Sequence, residues 1–95
     1  MIYEWDPKKA KANLRKHSVS FEEAASVFLD PLAVTFPDPD HSGAEYREIT
    51  IGHSTKQRVI FLSHTRRGDR TRLINARKAT RTERKQYEET ISKEK

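Results

Sequence analysis

Apolar positions fall along this chain in short blocks, and the spacing within each block marks the element it belongs to. Residues 2–5 form a short β-prone segment closed by Asp6-Pro7, where aspartate caps a helix and proline fits its first turn. In the helix that follows, Ala10, Asn13, Leu14 and His17 recur at i, i+3, i+4 and i+7, so the expected inward face is half polar and its two polar groups need partners. Ser20-Phe21-Glu22-Glu23 then reads as a capping box, with Val19 placed to staple against Ala24. Phe21, Ala24, Ala25 and Phe28 form the apolar stripe of a second helix that ends near Asp30-Pro31.

Beyond that point the period changes to two. Residues 32–36 read as a strand stopped by Pro37-Asp38-Pro39-Asp40, and the loop continues through His41-Ser42-Gly43. Residues 45–51 alternate, with Glu45, Arg47, Ile49 and Ile51 on one face and Tyr46, Glu48 and Thr50 on the other; Gly52 is expected to end the strand. Val59-Ile60-Phe61-Leu62 is a near-continuous apolar run, as in a central strand covered on both faces. Arg66-Arg67-Gly68-Asp69 supplies a turn, and residues 70–78 return as the other arm of a hairpin. Thr80 and Glu83 form a second capping box that opens a last helix, whose only apolar residues are Tyr87 and Ile91 before a charged tail at 89–95 expected to fray. The order β-α-α-β-β-β-β-α predicts a single α+β domain over residues 1–95, with a mostly antiparallel sheet, two N-terminal helices packed on it and a loosely docked C-terminal helix.

Charge adds a second pattern. The net charge of +5 is unevenly distributed: from Glu22 to Glu48 there are seven acidic residues against one arginine, and from Lys56 to Tyr87 eleven lysines and arginines against Asp69 and Glu83. Clustered cations, arginines above all, make a local field that attracts phosphate. With no cysteine there is neither a disulfide framework nor a thiolate metal site, and a cytoplasmic location is expected. No leader-like apolar run opens the chain and no stretch approaches a membrane span, so no membrane role is expected.

Candidate chemistry concentrates in the second half. Arg70 and Arg72 alternate on one face of the hairpin beside Ile74, and a bulge near Asn75 would bring Arg77 onto the same side. Arg81, Arg84 and Lys85 carry the basic surface onto the last helix. Lys9, Asn13 and Lys16 make a polar stripe on the first helix, with His17 near its C-terminus. His41, His53 and His64 lack metal-ligand spacing, and Gly43, Gly52 and Gly68 are isolated, so neither a metal, a cofactor nor a nucleotide loop is expected. Metal-free RNA cleavage needs a base for the 2′-hydroxyl, cations for the pentacovalent phosphate and an acid for the leaving oxygen. The cations are evident, whereas His17, Glu45, Glu83, Tyr87 and Lys9 all remain open as proton carriers.

Glu4-Trp5-Asp6 with Lys9, Asn13 and Arg15-Lys16-His17, then Val19-Ser20-Phe21-Glu22-Glu23-Ala24 and Phe28-x-Asp30-Pro31, resembles the N-terminal signature of the BrnT toxins of bacterial type II toxin-antitoxin modules. The second block is similar: Arg66-x-Gly68-Asp69-Arg70, Leu73-Ile74-Asn75-Ala76-Arg77 and Glu83-Arg84-x-x-Tyr87. Asn75 stands where that family usually has serine, and Ser18 where glycine is common. The resemblance implies a RelE-like fold, metal-independent ribonuclease activity that halts translation, neutralisation by a BrnA-type antitoxin, and autorepression in which only the antitoxin complex meets DNA. By matching positions it nominates Lys9, His17, Arg72, Arg77 and Tyr87 as catalytic candidates, beside Lys16, Arg70, Arg81, Arg84 and Lys85 as RNA-binding ones. The alternatives are a non-catalytic nucleic-acid-binding module and a protein-interaction subunit. Phe61, placed in the covered spine, is not expected to stack on bases, which leaves Tyr46 and Tyr87 available for that role.

Overall fold

The computed structural model describes residues 1–39 and 45–93; the loop expected at His41, Ser42 and Gly43 and the last two residues of the charged tail lie outside the described residues. The chain runs β1 (Ile2–Glu4), α1 (Pro7–His17), α2 (Phe21–Ala25) with a 3-10 turn (Ser26–Leu29), β2 (Val34–Pro37), β3 (Arg47–His53), β4 (Val59–Arg67), β5 (Arg70–Lys78) and α3 (Arg81–Lys93). This is the expected α+β order. The Asp6 carboxylate accepts from the Lys8 N–H at 2.8 Å to start α1. The helix stops at Ser18, whose left-handed φ of 59° turns its N–H back to the Leu14 carbonyl, a conformation that suits glycine better than serine.

All five strands share one sheet in the order β1-β5-β4-β3-β2, antiparallel except where β1 runs parallel to β5. One face carries Ile60, Leu62, Leu73 and Ala76, sealed by Val19, Phe21, Ala24 and Val27. Trp5 meets Phe21 edge-on at 5.9 Å between ring centroids, and Tyr3 stacks on Phe28 at 5.6 Å, so the β1 segment closes the rim of this core. The opposite face carries Ile49, Ile51 and Val59 and is covered only where Tyr87 and Ile91 of α3 reach it. The last helix therefore docks through a narrow contact, and among the described residues the rest of that face is not sealed by a helix.

Two local expectations change. Gly52 does not end β3, which continues to His53. A side chain at Gly52 would come within 2.8 Å of the Ala33 Cβ, so glycine is needed there for the close approach of the segment leading into β2. Leu14 does not face inward but is 51% exposed. The reason is the docking of α1, which lies against the sheet's edge. β1 pairs with β5 only at Arg70, Thr71 and Arg72; beyond them the Asn13 carboxamide takes the place of a strand. It accepts from the Ala76 N–H at 3.0 Å and donates to the Ala76 carbonyl at 2.8 Å and the Val19 carbonyl at 2.9 Å. Asn13, one of the two polar groups expected on the inward face of α1, thus finds its partners and anchors the helix.

Candidate functional site

The geometry of the open face is set by one irregularity in the β4–β5 hairpin. Arg77 pairs with Phe61 and Asn75 with Ser63, but the next pairs are Leu73 with His64 and Arg72 with Thr65, so Ile74 is an extra residue in β5. Without it, Arg77 would share a face with Leu73, in the helix-covered core. With it, Arg70, Arg72 and Arg77 all project from the open face, as the expected bulge requires. None of the three is unpaired. Arg72 Nη1 donates to Glu4 Oε2 at 2.7 Å, and Arg70 lies 3.8 Å from the same carboxylate. Arg77 sets both guanidinium nitrogens on Glu83 at 2.8 and 3.0 Å while lying 4.0 Å from the Phe61 ring centroid. Burial pushes the Glu83 carboxyl up, but hydrogen bonds from Arg77 and the Thr80 backbone outweigh it, so the group stays ionised to lower pH than an ordinary glutamate.

Beside this arginine row lies a cleft of about 530 Å³ between α1 and the open face of the sheet. Lys9, Ala12, Asn13, Lys16 and His17 form its helical wall, one face of α1 at spacings of three and four. Arg47, Ile49, Phe61, Ser63, Ile74 and Asn75 form the floor, with Asp38 at the margin. Asp38 is held by its N–H, which donates to the Arg47 carbonyl at 2.9 Å, and it is the one carboxylate among the described lining residues. Among the described residues no acidic side chain lies within ion-pair distance of Lys9, Lys16, His17 or Arg47. Among the described residues the cleft thus gathers cations with no carboxylate in ion-pair distance, next to arginines that have one.

The structure distributes the sequence candidates unevenly. Lys9, Lys16 and His17 line the cleft, and Arg77 lies on the ring that forms part of its floor. Arg70 and Arg72 share its face of the sheet but are tied to Glu4. Arg81, Arg84 and Lys85 are exposed on the first turns of α3 and do not line it. Tyr87 is 2% exposed; its hydroxyl donates to Asp30 Oδ2 at 2.5 Å and lies 3.0 Å from His53 Nδ1. Burial and the Asp30 carboxylate both raise its pKa, so this hydroxyl keeps its proton and fastens α3 to the sheet. Four polar residues of the cleft were not named as site candidates from sequence: Arg47, Asp38, Ser63 and Asn75. Arg47 left a signal by alternating with Ile49 and Ile51 in β3, and Asn75 by marking the expected bulge. Phe61, expected to be covered on both faces, instead lines the cleft, because α3 covers only part of that face. Among the described residues no three histidine or acidic side chains converge as a metal site would require, and no helix is long and apolar enough to cross a membrane.

Comparison with known proteins places this geometry in context. The family model described as ribonuclease toxin, BrnT, of type II toxin-antitoxin system matches residues 5–83. Among solved structures, the 1.1 Å crystal structure of the Brucella abortus ribonuclease toxin BrnT aligns with a TM-score of 0.66 and 22% identity, covering 85% of this chain and 100% of that one. That likeness concerns the fold. No curated protein matches the chain.

Proposed function

Because the chain belongs to the family of BrnT ribonuclease toxins of type II toxin-antitoxin systems, we propose that it acts as a single-domain endoribonuclease whose active centre is the cleft between α1 and the sheet. The observation that carries this reading is the set of cleft cations without acidic partners among the described residues, Lys9, Lys16 and Arg47, with the His17 imidazole on the same wall. Phosphodiester cleavage in RNA needs little else. The 2′-oxygen attacks the adjacent phosphorus as His17 takes its proton. The negative charge of the pentacovalent phosphate is met by Arg47, while Arg77, already paired with Glu83, lies on the Phe61 ring beside it, and the bond to the 5′-oxygen breaks as Lys9 or Lys16 returns a proton to it. The products are a 2′,3′-cyclic phosphate and a free 5′-hydroxyl, and no step calls on a metal ion. Arg70 and Arg72, with Arg81, Arg84 and Lys85 on α3, extend the positive surface along which the strand would run. Tyr87 contributes by holding α3 in place.

In this reading the neutralising partner is a BrnA-type antitoxin that covers the basic face or displaces α3, the complex represses its own operon through the antitoxin's DNA contacts, and the chain works in the cytoplasm. Family membership supports an antitoxin and an RNA substrate. The class of antitoxin and the autorepression rest on the resemblance alone. The test is incubation of the purified chain with single-stranded RNA in excess chelator, with end analysis of the fragments. Cyclic phosphate ends are expected, and His17→Ala should lower the rate by about two to four orders of magnitude. Cleavage abolished by the chelator would contradict the metal-free mechanism. RNA binding without cleavage in any buffer would instead favour a non-catalytic binding module.

A further inference from the structure

One part of the cleft is unsuited to phosphate. Where the lysines and Arg47 offer charge, the β4–β5 side offers Phe61 and Ile74 beside the neutral polar Ser63 and Asn75, with the Glu83-paired Arg77 on the Phe61 ring. The bulge causes this: with Ile74 inserted, Ile74 and Asn75 both face the cleft, where regular alternation would send one of them into the helix-covered core. Asn75 is exposed, and its carboxamide makes no hydrogen bond to any described residue. Its ladder partner Ser63 also lines the cleft and is likewise unbonded through its hydroxyl. Two pairs further along, the Phe61 ring carries the Arg77 guanidinium 4.0 Å from its centroid.

Each feature has an ordinary structural explanation, but together they are poorly explained that way. Bulges beside active sites re-aim side chains, and the free Asn75 carboxamide, aimed into the cleft and not bonded back to its own backbone, fits that use. Phe61 packs against the Ile51, Val59 and Tyr87 cluster but is only partly buried, and it also lines the cleft. An aromatic ring and a guanidinium plane are the surfaces on which unstacked RNA bases rest, and a neighbouring carboxamide offers both donor and acceptor to a base edge.

We propose that this end of the cleft seats a nucleobase of the RNA substrate against Phe61, Arg77 and Ile74, and that Asn75, with Ser63 beside it, reads the hydrogen-bonding edge of that base. Asn75 is then a specificity-determining residue, distinct from the phosphate-handling wall of α1. The inference rests on the reading of the cleft as a ribonuclease site.

A randomised single-stranded RNA pool, digested by wild type, Asn75→Asp, Ser63→Ala and Lys16→Ala and sequenced at the new 5′-hydroxyl ends, tests it. Asn75→Asp keeps the shape but replaces two N–H donors by a charged acceptor, so all sequences should be cut more slowly while the preferred base at one position beside the cleaved bond changes, with relative rates shifting roughly ten-fold. Ser63→Ala should weaken preference at that same position, and Lys16→Ala should slow cleavage of all sequences alike. A wild-type distribution in both Asn75→Asp and Ser63→Ala, or a wild-type enzyme without base preference, overturns the base seat while leaving the ribonuclease reading intact. A wild-type chain that cleaves no RNA overturns both.

Discussion

His64 illustrates how this chain buries polar side chains. It lies on β4 beneath the edge of the Phe28 ring, 5% exposed, with Nε2 2.7 Å from the Thr50 hydroxyl, which in turn meets the Thr35 hydroxyl at 2.7 Å. Glu48 and Arg66 line the same small cavity. Burial lowers its pKa to about 4, so the folded chain holds a neutral imidazole at neutral pH. The unfolded chain takes up this proton near pH 6.5 and the folded chain only near 4, so the stability His64 supports is complete above 6.5 and is lost as pH falls through that window. The loss should reach about 3 kcal/mol. Urea unfolding followed from pH 7 to 4 should show it in wild type and not in His64→Gln, which keeps a partner for Thr50; parallel curves for the two proteins would assign the acid sensitivity elsewhere. Glu23 shows the opposite solution, burial of a charge that is matched. Arg58 reaches it with two nitrogens and Ser54 donates at 2.7 Å, and the Arg58 hydrogen bond above all keeps its carboxyl ionised below the usual range.

At the scale of elements, side-chain anchors decide where each helix sits. The three hydrogen bonds of Asn13 tie α1 to the free edge of β5 and to the start of α2, so Asn13→Ala would leave the Ala76 N–H and two carbonyls without partners. A cost of about 2–4 kcal/mol is expected in denaturant unfolding, with faster hydrogen exchange at the Ala76 amide than elsewhere in β5. Unchanged exchange at Ala76 would mean that another group guards that edge. This anchor also explains what could and could not be read from the sequence. The order of elements was legible because each block has its own period and its own punctuation. The Thr80–Glu83 capping box was legible as well, and it forms completely: Thr80 N–H donates to Glu83 Oε1 at 2.8 Å and Glu83 N–H to the Thr80 hydroxyl at 3.2 Å. The Ser20–Glu23 box forms only in half, because the Glu23 carboxylate leaves the helix end for Arg58, 35 positions away. Non-local pairing hid the rest. Nothing near Arg72 in sequence points to Glu4, which lies 68 positions away. Helical periodicity likewise placed Leu14 inside, since it assumes a helix lying on a face where α1 lies against an edge.

Across the whole molecule the acidic and basic halves of the chain have different fates. The acidic stretch is largely consumed by structure: Glu23 is buried against Arg58, Asp30 accepts from Tyr87 and the His53 N–H, Asp38 is 8% exposed, and Glu45 meets Arg67. The net +5 is therefore felt most strongly in the cleft, where Lys9, Lys16 and Arg47 have no acidic side chain within ion-pair distance among the described residues. A surface of this kind binds a polyanion by releasing its condensed counterions, and affinity then falls with salt in proportion to the number of phosphates engaged, with a slope of about −0.7 per phosphate for a single strand. Three cleft cations predict a slope near −2 in a plot of log K against log salt. Anisotropy titrations with RNA made uncleavable by a 2′-deoxy substitution should give that value. Lys9→Ala with Lys16→Ala should reduce the slope by about 1.4, since two phosphate contacts are removed. Asn75→Ala should leave it nearly unchanged, because a neutral group that reads a base edge releases no counterion. A slope insensitive to the two lysines would move the phosphate path off α1 and onto the exposed cations of α3, Arg81, Arg84 and Lys85, making the cleft an apolar recess beside the RNA track and depriving Lys9 and Lys16 of the proton-donating role given to them.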